Sequence, residues 1–184
     1  MPWEFDVLNW IQTLHTDWLT PVLRVLTTLE DHGLMTILLA ALFLVFPKTR
    51  KTGFTLAVTM VFCGLFGNVL LKPLIGRVRP YDVNTQIQLL IPSLHDFSFP
   101  SGHTYAAFAL ATCLLFFHKK WGIVALVYAV ILAFSRMYFY VHYPTDIVAG
   151  IAFGVGFSFL ALWITSKVWP KLPARFTGET KEAA

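Results

Sequence analysis

The sequence predicts an all-α integral membrane protein. It reads as a transmembrane helix bundle of five spans, with six as the alternative, preceded by N-terminal interfacial amphipathic helices. Three observations predict this. Of 184 residues, 57% are hydrophobic and 13% charged, against about 45–50% and about 25% in soluble domains. Mean hydropathy is +0.65, which also excludes a disordered chain. The apolar residues come in long runs, with the basic residues in short clusters between them, as in membrane loops. That distribution removes nucleic acid as the meaning of the net charge of +4.

Residues 1–31 read as two amphipathic helices. Trp3, Val7, Trp10, Ile11 and Leu14 share one helical face, with Glu4, Asp6, Asn9 and Gln12 largely elsewhere. No basic stretch and apolar core open the chain, so no signal peptide is expected. After Asp17, read as an N-cap, Leu19, Val22, Leu23, Leu26 and Leu29 repeat the pattern. Both segments read as lying in the membrane interface. A crossing made from residues 17–30 gives the six-span alternative.

Residues 32–169 form the transmembrane core. The first apolar run, Gly33 to Phe46, ends at Pro47 and the cluster Lys48, Arg50, Lys51. It is short against the roughly 20 residues a span needs. Extension back to Leu26–Leu29 requires Glu30, Asp31 and His32 to sit at the interface. The other runs are Gly53–Leu71, Ser101–Phe117, Trp121–Tyr138 and Pro144–Trp169. Cys63 and Cys113 lie inside such runs and read as small buried hydrophobes. A polar tail, 170–184, is expected to fray from Lys171.

Loop charges set the topology. One side holds Lys48, Arg50, Lys51, Lys119, Lys120, Lys167, Lys171 and Arg175, and the other Lys72, Arg77, Arg79 and Arg136. The richer side is expected to be cytoplasmic, with the C-terminus, and the loop 72–100 outside.

Seven charged residues lie near the outer ends of the spans: Lys72, Arg77, Arg79, Asp82, Asp96, Arg136 and Asp146. Ionisable groups in such places mark a site unless they snorkel to water, which is the alternative for Arg77. His103 and His142 fall at the same level, with Asp146 one helical turn after His142. Pro100-Ser101-Gly102-His103 opens a helix whose first N–H groups lack partners, which suits an anion. Cations with a helix N-terminus suggest a phosphate, and a carboxylate-oriented histidine suggests a nucleophile or base.

Three motifs now stand in order: Lys72 to Arg79-Pro80 (K-x6-R-P), Pro100 to His103 (P-S-G-H), and Ser135-Arg136 through His142 to Asp146 (S-R-x5-H-x3-D). Together they resemble the type 2 phosphatidic acid phosphatase family of membrane lipid phosphatases. That resemblance implies catalytic residues His142 as nucleophile, His103 as general acid and Asp146 as support for His142. It implies phosphate-binding residues Lys72, Arg79, Ser101, Gly102 and Arg136. No metal and no other cofactor is expected, because three cations do the neutralising. The implied partners are a lipid phosphate substrate and the bilayer, with no obligate protein partner inferred. The implied place is the plasma (inner) membrane, with the site facing the extracytoplasmic side.

Undecaprenyl diphosphate is the favoured substrate, with phosphatidylglycerol phosphate or phosphatidate as alternatives and lipid A phosphate third. A non-catalytic lipid-binding or flipping protein and a vanadate-dependent oxidase are the competing classes. Ser135 is expected to pack or cap near Arg136, Asn68 to hydrogen-bond between helices, and Tyr138, Tyr140 and Tyr143 to belong to an aromatic belt, with pocket lining as the alternative for Tyr143. The apolar residues of the connector from Tyr81 to Phe99 suggest a lid dipping into the interface.

Overall fold

The computed structural model describes residues 1–178. Ten α-helices follow one another among them: α1 (Pro2–Gln12), α2 (Leu19–Leu29), α3 (Leu34–Val45), α4 (Arg50–Phe62), α5 (Lys72–Ile75), α6 (Pro80–Val83), α7 (Gly102–Phe117), α8 (Lys119–Tyr138), α9 (Pro144–Val168) and α10 (Ala174–Thr177). A π-helical stretch, Cys63–Leu71, joins α4 to α5 without a break. Four helical stretches are long and apolar enough to cross a membrane: Leu19–Val45, Pro47–Val83, Lys119–Tyr138 and Pro144–Lys171. The shorter apolar helix α7 stands among them. The protein is a multi-pass membrane helix bundle.

Helix α7 is the centre of the bundle and packs on α8, α9 and α4. Its small residues Ala106, Ala107, Ala109 and Ala111 are buried, and they let neighbouring backbones come close. Gly150 and Gly154 of α9 complete that approach. A β-carbon on Gly154 would lie 2.4 Å from the Tyr105 carbonyl oxygen, and one on Gly150 2.9 Å from Thr104 Cβ. The outer faces expose Val61, Val69, Val124, Val148 and Trp163, as a lipid solvent requires. Cys63 and Cys113 are buried free thiols.

The N-terminal region differs from expectation in three ways. First, Asp17 is not the cap of α2: the Leu19 N–H donates to Thr16 Oγ1 at 3.4 Å. Second, α2 and α3 are joined by a tight turn with positive φ at His32 (57°) and Gly33 (72°). That turn buries Glu30 rather than leaving it at the interface, while Asp31 stays half exposed at the cavity. Glu30 is buried and accepts from the Thr36 hydroxyl at 2.7 Å. Third, α1 is an integral cover of one bundle end. It buries Glu4, Leu8 and Ile11, while Trp3 and Trp10 stay exposed.

Beneath that cover, Tyr138 and Tyr140 are buried instead of forming a belt. The Tyr140 hydroxyl donates to Asn9 Oδ1 at 2.8 Å, and that of Tyr138 lies 2.8 Å from Thr20 Oγ1. The connector is packed too. Ile87, Leu89, Leu90, Ile91 and Leu94 lie against a cluster containing Leu8, Ile11, Leu23 and Tyr81. Its apolar side chains find α1 and α2 within reach, and burial there removes them from water.

The opposite end gathers the basic clusters. Arg50 donates to the Phe176 carbonyl at 3.0 Å, and Trp169 packs on Phe176. The chain after Lys171 therefore folds back to Gly178 rather than fraying at once. The rest of the expected tail, 179–184, lies outside the described residues.

Candidate active site

The covered end holds a cavity of about 970 Å³. Lys72, Arg79, Gly102, His103, Arg136 and His142 all line it. They come from five separate segments of chain, Gly102 and His103 sharing one, and local structure explains each position. The π-helical stretch delivers Lys72 at its end, and such widened turns occur often at functional sites. Pro80 starts α6, which leaves Arg79 extended at its N-cap (φ −72°, ψ 152°). Gly102 and His103 open α7, Arg136 lies in the last turn of α8, and His142 sits in the short link before α9.

His142 is buried between two partners. Its Nδ1 lies 3.4 Å from Asp146 Oδ2, and its Nε2 lies 3.4 Å from Arg79 Nη1. Burial, opposed by Asp146 but reinforced by Arg79 and Arg136, pushes the His142 pKa down to about 3. At neutral pH its ring is therefore uncharged. Asp146, fully buried, is held by three further donors. Oδ2 takes the Ser98 hydroxyl and the Tyr143 N–H (2.9 Å). Oδ1 takes Arg77 Nη1 at 2.5 Å.

The cations are held as firmly. Arg79 donates to the carbonyls of Asp96 (2.8 Å) and Val141 (2.7 Å). Arg136 is buried and bonded to the Thr27 hydroxyl, and its Nε has no partner among the described residues. The Asp96 carboxylate, half exposed, bridges Lys72 and Arg79, with Arg79 Nη2 at 2.6 Å. Burial raises the Asp96 pKa, but the two cations outweigh it and hold the carboxyl well below its usual range. His103 Nε2 lies 3.0 Å from Asp31 Oδ1.

Ser101 stands apart from the other motif residues. Its hydroxyl accepts from Thr104 at 2.9 Å, its N–H donates to the Asp146 carbonyl at 3.2 Å, and it does not line the cavity. Ser135 does not cap α8; buried inside the helix, its hydroxyl donates back to the Leu132 carbonyl at 2.6 Å. Asn68 lines the cavity beside Tyr105. Sequence reasoning passed over Thr27, Asp31, His32, His95 and Ser98. All but Ser98 line the cavity, and no motif marks any of them. Among the described residues, no group of three or more His, Cys, Asp or Glu side chains is arranged to hold a metal ion.

An apolar bundle that encloses cations and histidines at one end defines a membrane protein built around an anion site. The sequence profile of the PAP2 superfamily matches residues 49–170. The chain belongs to that superfamily. It is 38% identical over 127 residues to an undecaprenyl-diphosphatase of Sulfolobus acidocaldarius, covering 68% of this chain and 61% of the relative. It is 34% identical over 132 residues to a lipid A 4'-phosphatase of Bacteroides thetaiotaomicron, covering 68% and 57%. The matches thus span about three fifths of these relatives' lengths. The fold is similar to the crystal structure of a transmembrane PAP2-type phosphatidylglycerolphosphate phosphatase from Bacillus subtilis. The TM-score is 0.71 at 28% identity, over 90% of this chain and 85% of that one.

Proposed function

We propose that this protein is a lipid phosphatase that works through a phosphohistidine and needs no metal. The observation that carries the reading is the setting of His142. Its Nδ1 faces a buried carboxylate, and its Nε2 faces the cation-lined cavity. A neutral imidazole so placed carries its Nε2 lone pair on the cavity side, beside Arg79, where a bound phosphoryl group would meet it.

In the first step, His142 Nε2 forms a bond to phosphorus as the phosphorus–oxygen bond to the leaving group breaks. His103 gives its proton to the departing oxygen. Asp146 holds the ring and balances its developing positive charge. Lys72, Arg79 and Arg136, with the N–H of Gly102, take the charge spread over the phosphoryl oxygens. Ser101 supports the helix start and the Asp146 backbone. In the second step, water gives a proton to His103 and attacks phosphorus. The nitrogen–phosphorus bond breaks, and inorganic phosphate leaves. Three cations supply the neutralisation that magnesium provides elsewhere.

The substrate is a membrane lipid carrying a phosphomonoester or diphosphate, with undecaprenyl diphosphate favoured. Apolar residues continue the cavity from the cations, among them Ile37, Met60 and Ala106. They suit a chain lying in the bilayer. The basic end, with Lys48, Arg50, Lys51, Lys119 and Lys120, faces the cytoplasm, which puts the cavity on the extracytoplasmic side. The chain crosses five times, α2 and α3 together making the first crossing. Helix α1 covers the cavity end of this core, and α2, expected in the interface, belongs to the first crossing instead.

Phosphate release by purified protein in EDTA tests this reading. The panel is undecaprenyl diphosphate, phosphatidylglycerol phosphate and phosphatidate, each also run with His142→Ala. Release from one lipid, lost in the variant, is the expected result. Release that requires added magnesium, or that survives in His142→Ala, overturns the mechanism.

A further inference from the structure

Glu4 lies outside the residues matched by the superfamily profile, and Arg77 lies between the fixed positions of the first motif. Neither carries a role in the mechanism above. Yet Glu4, on α1, is fully buried, and a buried carboxylate persists only when paired. Arg77 Nη2 donates to both its oxygens, at 2.9 and 2.8 Å. Arg77 Nη1 donates to Asp146 Oδ1 at 2.5 Å and to Thr145 Oγ1 at 2.6 Å. The Thr145 hydroxyl closes the ring by donating to Glu4 Oε1 at 2.6 Å. The guanidinium also lies 3.9 Å from the centre of the Tyr143 ring. Arg77 does not snorkel to water; it faces α1 and the start of α9.

We propose that Glu4 and Arg77 are positioning residues for the His142–Asp146 pair, making α1 part of the reaction site. The inference rests on the roles given above to His142 and Asp146. Asp146 Oδ2 has several donors, but the side-chain hold on Oδ1 is Arg77. Without Arg77, Oδ1 loses its side-chain partner and the carboxylate is held from the Oδ2 side alone, so it tilts and the ring of His142 shifts with it. Without Glu4 the guanidinium loses one of its two carboxylate partners, and Asp146 becomes its one counter-charge among the described residues. Asp146 then balances the cationic His142 ring less well. The phosphate cradle touches neither residue, so the damage falls on the chemical step.

The test measures kcat, KM and inhibition by inorganic phosphate for the lipid that the wild type hydrolyses. Only protein that elutes as a folded species on size exclusion is assayed. Loss of a charge-assisted hold predicts kcat lower by about 10²-fold in Arg77→Gln and about tenfold in Glu4→Gln, with KM and phosphate inhibition within about twofold. Glu4→Asp, which keeps the charge, recovers part of the loss. If Glu4→Gln does not fold, the uncharged pair Glu4→Gln/Arg77→Gln carries the test, with kcat again reduced. Wild-type kcat in these folded variants overturns the inference. So does a loss of kcat matched by an equal loss of phosphate inhibition, which is the mark of a merely structural role. His142→Ala is assayed alongside. Activity surviving in it brings down the site reading itself, whereas failure confined to Glu4 and Arg77 brings down only this inference.

Discussion

Two carboxylates approach the same cavity in opposite ways. Asp146, in the first turn of α9, is fully buried, stands behind His142 and accepts from donors on every side. Asp96, in the connector before α7, is half exposed and reaches Lys72 and Arg79 from the cavity side. The first orients a histidine. The second occupies the cations proposed above to hold a phosphate. Residue type alone does not separate these roles; burial and the side of approach do.

The sharpest way to break the contrast is to neutralise Asp146. By analogy with triad carboxylates, Asp146→Asn should lower kcat by about 10³-fold or more, while His142→Ala abolishes phosphoenzyme formation. Trapping of radiolabelled phosphate on the protein after acid-free quenching checks both. Next comes Arg79→Lys. One ammonium cannot serve two carbonyls, Asp96 and a phosphoryl oxygen together, so kcat/KM should fall by about 10²-fold.

A smaller effect of opposite sign is expected on the other carboxylate. Asp96→Asn removes a competitor of phosphate, so inhibition by inorganic phosphate should tighten about threefold to tenfold. Weaker inhibition would mean that Asp96 braces the cations instead. The smallest effect concerns Glu4. Burial raises its pKa, but Thr145 and Arg77 lower it further, so the carboxyl stays below its ordinary value. A depressed carboxylate stabilises the folded state fully above about pH 4.3, and this is lost as pH falls through the lowered value. Tm should therefore drop on acidification below that pH, and drop less steeply in Glu4→Gln.

The legible part of the protein was the part written in one stretch of chain. Hydropathy marks α4 with its π-helical continuation, α7, α8 and α9 to within a few residues, because each is apolar over its own length, toward neighbouring helices in α7 and partly toward lipid in the others. Lys72, Arg79, His103, Arg136 and His142 were legible as charges where apolar residues belong, and they do meet at one cavity. What stayed hidden depends on contacts between distant segments. Nothing in the sequence near Asp31 announces His103, and nothing near Glu4 announces Arg77. Periodicity places Leu8 and Ile11 on one face of α1 but cannot say whether lipid or protein covers it. Tyr138 and Tyr140 were misread for the same reason, since an aromatic near a span end looks alike whether wet or buried.

Gly150 and Gly154 have a consequence for the cavity's width. They sit one turn apart on the face of α9 that meets α7, and backbone touches backbone there. His103 rides on α7, while Asp146, with His142 just before it, rides on α9. In the proposed mechanism, the distance between the proton donor His103 and the nucleophile His142 is thus set by two missing methyl groups. A single added carbon at Gly154 works like a shim in a hinge: it leaves every reacting side chain intact and sets them at the wrong spacing.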